Sequence, residues 1–440
     1  MSIFSKTLTV IRRLWVILPF CVLPSSVFSE SSHPENTAET VISSSSIGDN
    51  LTLQQALALT LTHNPTLVAF SAEIRAREAL TLQAGLLPNP VLNANAGNFA
   101  NATAKGFDGD SVTLQLSQLI ELGGKRAARI EAAAAGRDVA DWDYEIRRVT
   151  ILAHATQAFI EVLGAQAHAE LAAQSLKLAQ KVVETVANQV KAGKVSPVEE
   201  TRVNVTLATA KSAKLRAERE WAVSKQTLAA FWGGSASAFA TVRGDLERIE
   251  PLPSIESLNH RLKQSPTLRR WLSELSRQQA LLHSEQAKAI PDLTVKLGGT
   301  HFLDNQDSVA NVGISIPLPV FDRNQGGIAA AERHLDKTDA ELRAVRFRID
   351  SELNAIYQRL DAAQAEIENY RLTILPSAQS AYQAVQKGYR LGKFALLDVL
   401  DTQRTLFNAK AQYLRALTAY HQGLADLDRL IGGTVNEDSQ

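Results

Sequence analysis

Cysteine and methionine are nearly absent from this 440-residue chain: Cys21 and Met1 are the single examples, and both fall within the first thirty residues. The remainder can form neither a disulfide nor a thiolate metal site. An excess of either charge is missing as well, since 46 Lys and Arg balance 46 Asp and Glu, which argues against nucleic-acid binding by bulk charge. Long apolar runs are also lacking. With 45% hydrophobic residues and a mean hydropathy of -0.09, no stretch after Glu30 approaches the ~20 apolar residues that a spanning helix needs. Any membrane insertion must use another device.

The chemistry of an active site is equally sparse. The nine histidines include no pair spaced three or four apart and no histidine-glutamate zincin spacing, so no resident metal or other cofactor is expected. Gly123-Gly124 and Gly326-Gly327 lack the pattern of a phosphate loop and read as flexible joints between strand and helix. No nucleophile can be matched with a base. The chain is not expected to be an enzyme.

What is present begins with a secretory signal over residues 1–29: Lys6, Arg12 and Arg13 form a charged region, Leu14 to Leu23 an apolar core, and Ser29 a small residue before Glu30. The core is too short to span a bilayer and is interrupted by Pro19 and Pro24. The residues ahead of Cys21, Pro19 and Phe20, are not those of a lipidation box, so simple cleavage is expected. A polar tail follows over 30–50, and another closes the chain over 433–440.

Between the tails the sequence repeats at a spacing of about 200 residues, from 51 to 250 and again from 253 to 432. Val190 to Glu199 matches Tyr389 to Asp398 at a displacement of 199, and Trp232-Gly233 matches Ile431-Gly432 at the same displacement. Asn64-Pro65-Thr66-Leu67 matches Ser265-Pro266-Thr267-Leu268, and Leu87-Pro88 matches Ile290-Pro291. Landmarks that keep their order over a whole unit indicate a duplicated architecture. Each unit reads helix, strand pair, long helix, turn, helix, so the fold is mainly α with a small β part.

Lys125 to Ala192 contains no proline and two internal glycines amid many alanines and charged residues, which favours one continuous helix of about 100 Å. Gly326 to Leu391 is its counterpart, with a kink expected at Pro376. In the closing helix Leu400, Phe407 and Leu414, then Leu417, Leu424 and Ile431, stand seven apart with a step of three between the sets, the pattern of a coiled-coil seam.

The strands carry a different period. Val112, Leu114 and Leu116 alternate with Thr113, Gln115 and Ser117, and Val312, Ile314 and Ile316 alternate with Gly313 and Ser315, so each sheet face is unlike the other. Their partners are Val91 to Phe99 and Leu293 to Phe302, with polar loops at Ala100 to Asp110 and Leu303 to Asp307. These lengths suit tilted transmembrane β-strands. Four strands cannot close a barrel, and open edges in lipid would leave backbone groups unsatisfied. A membrane-inserted form must oligomerise.

Over essentially all of 51–432 the chain resembles the outer membrane factor family, the TolC-like exit ducts of Gram-negative tripartite efflux systems. Glu121-Leu122-Gly123-Gly124-Lys125-Arg126 and Pro317-Leu318-Pro319-Val320-Phe321-Asp322-Arg323-Asn324-Gln325-Gly326, both at strand-to-helix junctions, are similar to its cobalt-zinc-cadmium (CzcC-like) branch. The resemblance implies a homotrimer with a twelve-stranded barrel in outer-membrane lipid, continued by an α-helical coiled-coil barrel across the periplasm. It also implies docking to a periplasmic membrane fusion adaptor and an inner-membrane RND pump, and export of divalent heavy-metal cations. A TolC-like duct for drugs or other small molecules shares every feature except the two junction motifs. A secreted coiled-coil scaffold would account for the heptads but not for the alternating strands.

The turns hold the candidate site. Ser196-Pro197-Val198-Glu199 reads as a capping box with proline at the first helical position, whereas Ala395 and Leu396 stand where that serine and proline would be, so capping accounts for Glu199 but not for both Asp398 and Asp401. In the resembled family, acids matching Glu199, Asp398 and Asp401 constrict the periplasmic tip as a gate. The rival explanation for Asp401 is a pair with Arg404 on a solvated face. Ala192, Gly193 and Lys194, with Arg390, Leu391, Gly392 and Lys393, match the tip positions by which the family meets its adaptor.

Overall fold

The computed structural model describes residues 49–97, 111–303 and 306–434. The expected signal peptide, the first tail up to residue 48, the tip of the first hairpin and the last six residues lie outside them. In chain order the elements are β1 (Asn50–Thr52), α1 (Leu53–His63), α2 (Pro65–Ala84), β2 (Val91–Gly97), β3 (Ser111–Ile120), α3 (Lys125–Lys191), α4 (Pro197–Ala229), β4 (Thr241–Arg243), α5 (Ile255–Leu262), α6 (Pro266–Lys288), β5 (Leu293–Phe302), β6 (Ser308–Ser315), α7 (Gln325–Asn369), α8 (Leu375–Arg390) and α9 (Leu396–Ile431).

The opening helix of each unit is two helices, not one. Asn64 stops α1 and starts α2: its Oδ1 accepts from the amides of Thr66 (3.0 Å) and Leu67 (3.4 Å) while Pro65 supplies a first position that needs no donor. Ser265 and Pro266 do the same for α6, with Ser265 Oγ accepting from Leu268 N at 3.4 Å. A short parallel pairing of β1 with β4 was not legible in the sequence.

The continuous long helix is there: α3 runs 67 residues without a break. Its counterpart is interrupted by a π-turn at Tyr370–Ile374, just ahead of Pro376 in the first turn of α8. Proline has no amide to donate and crowds the preceding turn, and one extra residue in the ladder accommodates both. Along α7, Leu342, Val345, Ile349, Leu353, Ile356, Leu360 and Ile367 are buried and pack with Leu417, Tyr420, Leu427, Leu430 and Ile431 of α9. Each fully buried aliphatic side chain of this kind contributes roughly 1.5–3 kcal/mol. One buried heptad row of α9 is Val399, Leu406, Tyr413, Tyr420 and Leu427, one residue from the expected Leu400, Phe407 and Leu414, which are half-buried on its flank, while the expected Leu417 and Ile431 are buried and Leu424 packs against the same core. Two tyrosines complete that row. Tyr420 is fully buried, its hydroxyl donates to Glu250 O at 2.8 Å, and burial pushes its phenol up to about 12.

The main sheet is antiparallel throughout, ordered β2-β3-β5-β6, with β3 of the first unit beside β5 of the second. Its register sets Val91 opposite Ser117, Ser117 opposite Lys296, and Lys296 opposite Gly313. β2 and β6 are left as free edges. Among the described residues no helix is long and apolar enough to cross a membrane.

Candidate functional site

Three parts of the chain bear on function: the sheet, the joints beneath it, and the paired turns at the far ends of the long helices. The register sorts the sheet into two faces. One carries Leu92, Val112, Leu114, Leu116, Val295, Leu297, Val312 and Ile314. On it Leu297 is 59% and Val312 77% exposed in the single chain, an apolar surface that in water would be a liability. The other face carries Asn93, Asn95, Thr113, Gln115, Ser117, Thr294, Lys296, Thr300, Asn311 and Ser315. There Thr113 and Thr300 share a hydroxyl hydrogen bond of 2.9 Å, and Asn311 Nδ2 donates to Thr300 Oγ1 at 2.8 Å. Apolar outside and polar inside is what a barrel wall between lipid and water requires.

The joints are pinned, which corrects the expectation of flexibility. Gly123 and Gly124 both hold left-handed φ, +68° and +73°, and a Cβ on Gly123 would lie 2.7 Å from Ile290 Cβ, so only glycine fits there. Around them Arg129 grips Glu121 with two hydrogen bonds, 2.5 and 3.0 Å. Lys125 Nζ and the amide of Leu122 converge on Asp292 Oδ1 at 2.7 and 3.1 Å, tying the first unit to the second. Hydrogen bonding from Arg129 holds the Glu121 carboxyl below its ordinary value. In the second unit the left-handed residue is Asn324, φ +57°, rather than either following glycine. Asn324 Nδ2 donates to Glu285 O and Oε2 at 2.8 and 2.7 Å, and this bond leads in lowering the Glu285 carboxyl, with Lys288 adding to it.

Both turns end their helices in the same way. Lys194 N donates to Gln189 O and Gly193 N to Val190 O, each at 2.9 Å, while Lys393 N donates to Gly388 O at 2.9 Å and Gly392 N to Tyr389 O at 3.0 Å. These are paired Schellman caps with a left-handed glycine, Gly193 at +67° and Gly392 at +72°, and a lysine just beyond it. Ala192, Gly193, Lys194, Arg390, Leu391, Gly392 and Lys393 are all exposed. The turns stand side by side: Tyr389 OH donates to Gln189 Oε1 at 2.7 Å, and Val186, Val203 and Leu396 form a small buried cluster between them. Burial raises the Tyr389 phenol, and the charge of Glu199 raises it further. That bridge between Gln189 and Tyr389 was missed in the sequence, although the two residues occupy nearly equivalent repeat positions.

The three acids have local partners. Ser196 Oγ caps α4 through Val198 N at 3.3 Å, but Glu199 turns to Arg202 at 3.2 Å, so the expected capping box is half formed. Conversely, Asp398 does cap: its Oδ2 accepts from Ala395 N at 2.9 Å. Ala395 has no side-chain acceptor to complete the reciprocal bond, so this is one arm of a box. Asp401 pairs with Arg404 at 2.7 Å, and both side chains are largely exposed. Asp401 also borders a groove of about 670 Å³ between α4 and α9, lined among others by Val198, Arg202, Val205, Leu400 and Phe407. Among the described residues no group of three or more His, Cys, Asp or Glu side chains is placed to hold a metal ion.

Comparison with known proteins places these features. The outer membrane efflux protein family model matches residues 56–234 and 258–433. The cobalt-zinc-cadmium resistance protein CzcC of Cupriavidus metallidurans is 35% identical over 422 residues, covering 96% of this chain and 100% of that protein. The nickel-cobalt-cadmium resistance protein NccC of Alcaligenes xylosoxydans xylosoxydans is 26% identical, covering 88% and 87%. Among solved structures, a membrane protein from Pseudomonas aeruginosa shares the fold with a TM-score of 0.75 at 19% identity, covering 87% of this chain and 90% of that one.

Proposed function

Because the chain belongs to the outer membrane efflux protein family, we propose that it is the exit duct for divalent heavy-metal cations of the cobalt, zinc and cadmium class. It is an outer-membrane channel and a non-catalytic conduit. Metal is its cargo, not a resident cofactor. The observation that carries the metal assignment is likeness over 96% of the chain to a protein named for cobalt, zinc and cadmium resistance, with a nickel, cobalt and cadmium relative behind it.

The duct forms from three copies. The free edges of β2 and β6 pair from copy to copy, twelve strands close, and no backbone edge remains in lipid. The exposed turns at 192–194 and 390–393 are the surface for a periplasmic membrane fusion adaptor, which links the duct to an inner-membrane RND pump. Asp398, Asp401 and Glu199 form the periplasmic gate, and threefold symmetry sets each acid in a ring. Arg202 and Arg404 partner two of them at 3.2 and 2.7 Å and supply the countercharge that keeps the rings from repelling open.

Deletion of the gene in its host should sensitise cells to zinc, cobalt or cadmium while leaving dye and detergent resistance intact. A strain that loses dye and detergent resistance but keeps its metal resistance would reassign the duct to drugs or other small molecules.

A further inference from the structure

The four strands of the main sheet carry a single permanent charge. No Asp or Glu occurs in β2, β3, β5 or β6, and Lys296 is their one Lys or Arg. The register puts it on the polar face, level with Ser117 and Gly313 and between Thr294 and Gly298 along its own strand. Val295 and Leu297, its immediate neighbours, point to the apolar face. A lysine on the lipid side near mid-membrane would cost roughly 2–4 kcal/mol, and the alternation avoids that. Gly298 and Gly313 leave room around the side chain. Gly298 could hold nothing larger, since a Cβ there would lie 2.5 Å from Leu114 O.

Lys296 makes no ion pair among the described residues. Asp292, four residues before it, is taken by Lys125 at 2.7 Å, and Glu121, just after β3, by Arg129 at 2.5 Å. The polar groups that remain on that face are hydroxyls and amides, interspersed with glycines and with Val91, Leu119, Phe302 and Val309.

We propose that Lys296 is the charge-selecting residue of the barrel: three copies form a basic collar on the lumen wall that favours anions over cations at that level. This rests on the trimeric duct described above. Twelve strands spaced about 4.8 Å apart and tilted about 45° make a wall roughly 26 Å across. A lysine side chain reaching about 6 Å inward brings its charge to about 7 Å from the axis, within the ~8 Å Debye length of physiological salt. The collar field therefore fills the lumen, as rings of basic side chains do in anion-preferring pores. Exported cations cross this level accompanied by anions, so the collar sets the counter-ion that leaves with the metal.

The test is the reversal potential of the purified full-length protein in planar bilayers under a potassium chloride gradient, for wild type, Lys296→Gln and Lys296→Glu. A second series carries Asp398→Ala with Asp401→Ala, which removes two of the three acids of the proposed gate. The cation-to-anion permeability ratio should rise stepwise from Lys to Gln to Glu, by about threefold or more in total, in both series. Open channels with one reversal potential across all three side chains would overturn the collar and leave the duct standing. A wild-type protein that is monomeric and forms no channels would overturn the duct reading itself, and the collar with it.

Discussion

Glu121 shows how single residues hold the sheet to the helices. Arg129 binds it through both guanidinium nitrogens and is 39% exposed, so the pair contributes at the low end for a charged hydrogen bond, about 1 kcal/mol. Because the bond from Arg129 depresses the folded carboxyl below its ordinary 4.5, this contribution is fully present above that value and is lost as pH falls through the depressed one. Thermal melting of detergent-solubilised Glu121→Gln should therefore show lower stability than wild type at pH 7, with the difference shrinking as pH falls below the ordinary 4.5 and through the depressed value. A constant difference down to pH 3 would mean that the glutamate acts by shape and not by charge. Gly123 beside it illustrates a residue whose reason was only half readable: its pairing with Gly124 marked a turn, but Ile290, which excludes any Cβ, comes from the other repeat.

At the scale of elements, the turn between α8 and α9 is where helix capping and the proposed gate call on the same acids. Asp398 caps α9 and Asp401 pairs with Arg404, yet both are exposed at the start of one helix, three residues apart, where carboxylates share a face. Asp398→Ala with Asp401→Ala should keep the trimer, lose about 1 kcal/mol of helix capping, raise single-channel conductance and weaken block by added divalent cations. Unchanged conductance and block would return both residues to capping and surface pairing. Long-range pattern was the legible part here: the unbroken α3, the alternating strands and the paired turns all follow from periodicity and glycine placement. What escaped depended on single atoms. The cap at Asp398 was hidden because alanine precedes the helix, and a box is recognised by its serine or threonine. Leu417 and Ile431 of the expected seam of α9 are buried, but the buried row ahead of them lies one residue from Leu400, Phe407 and Leu414, because Tyr413 and Tyr420, buried in the structure, do not count as apolar in a leucine heptad. The second joint turns on Asn324, a residue that tolerates left-handed φ without announcing it as glycine does.

For the whole molecule, the duplication accounts for the proposed trimer, in which one chain supplies one third of the duct. Each unit contributes two strands and a helical hairpin, and β3 joins β5 so that the two hairpins make one four-stranded sheet with an apolar and a polar face. Such a sheet is stable neither as a monomer in lipid, where its edges are unsatisfied, nor in water, where its apolar face is bare. The gate rings and the Lys296 collar exist only if three copies surround one axis. Native mass measurement of the protein extracted from the outer membrane in mild detergent tests this most directly: the account predicts a single species of three chains, and a monomer would contradict it.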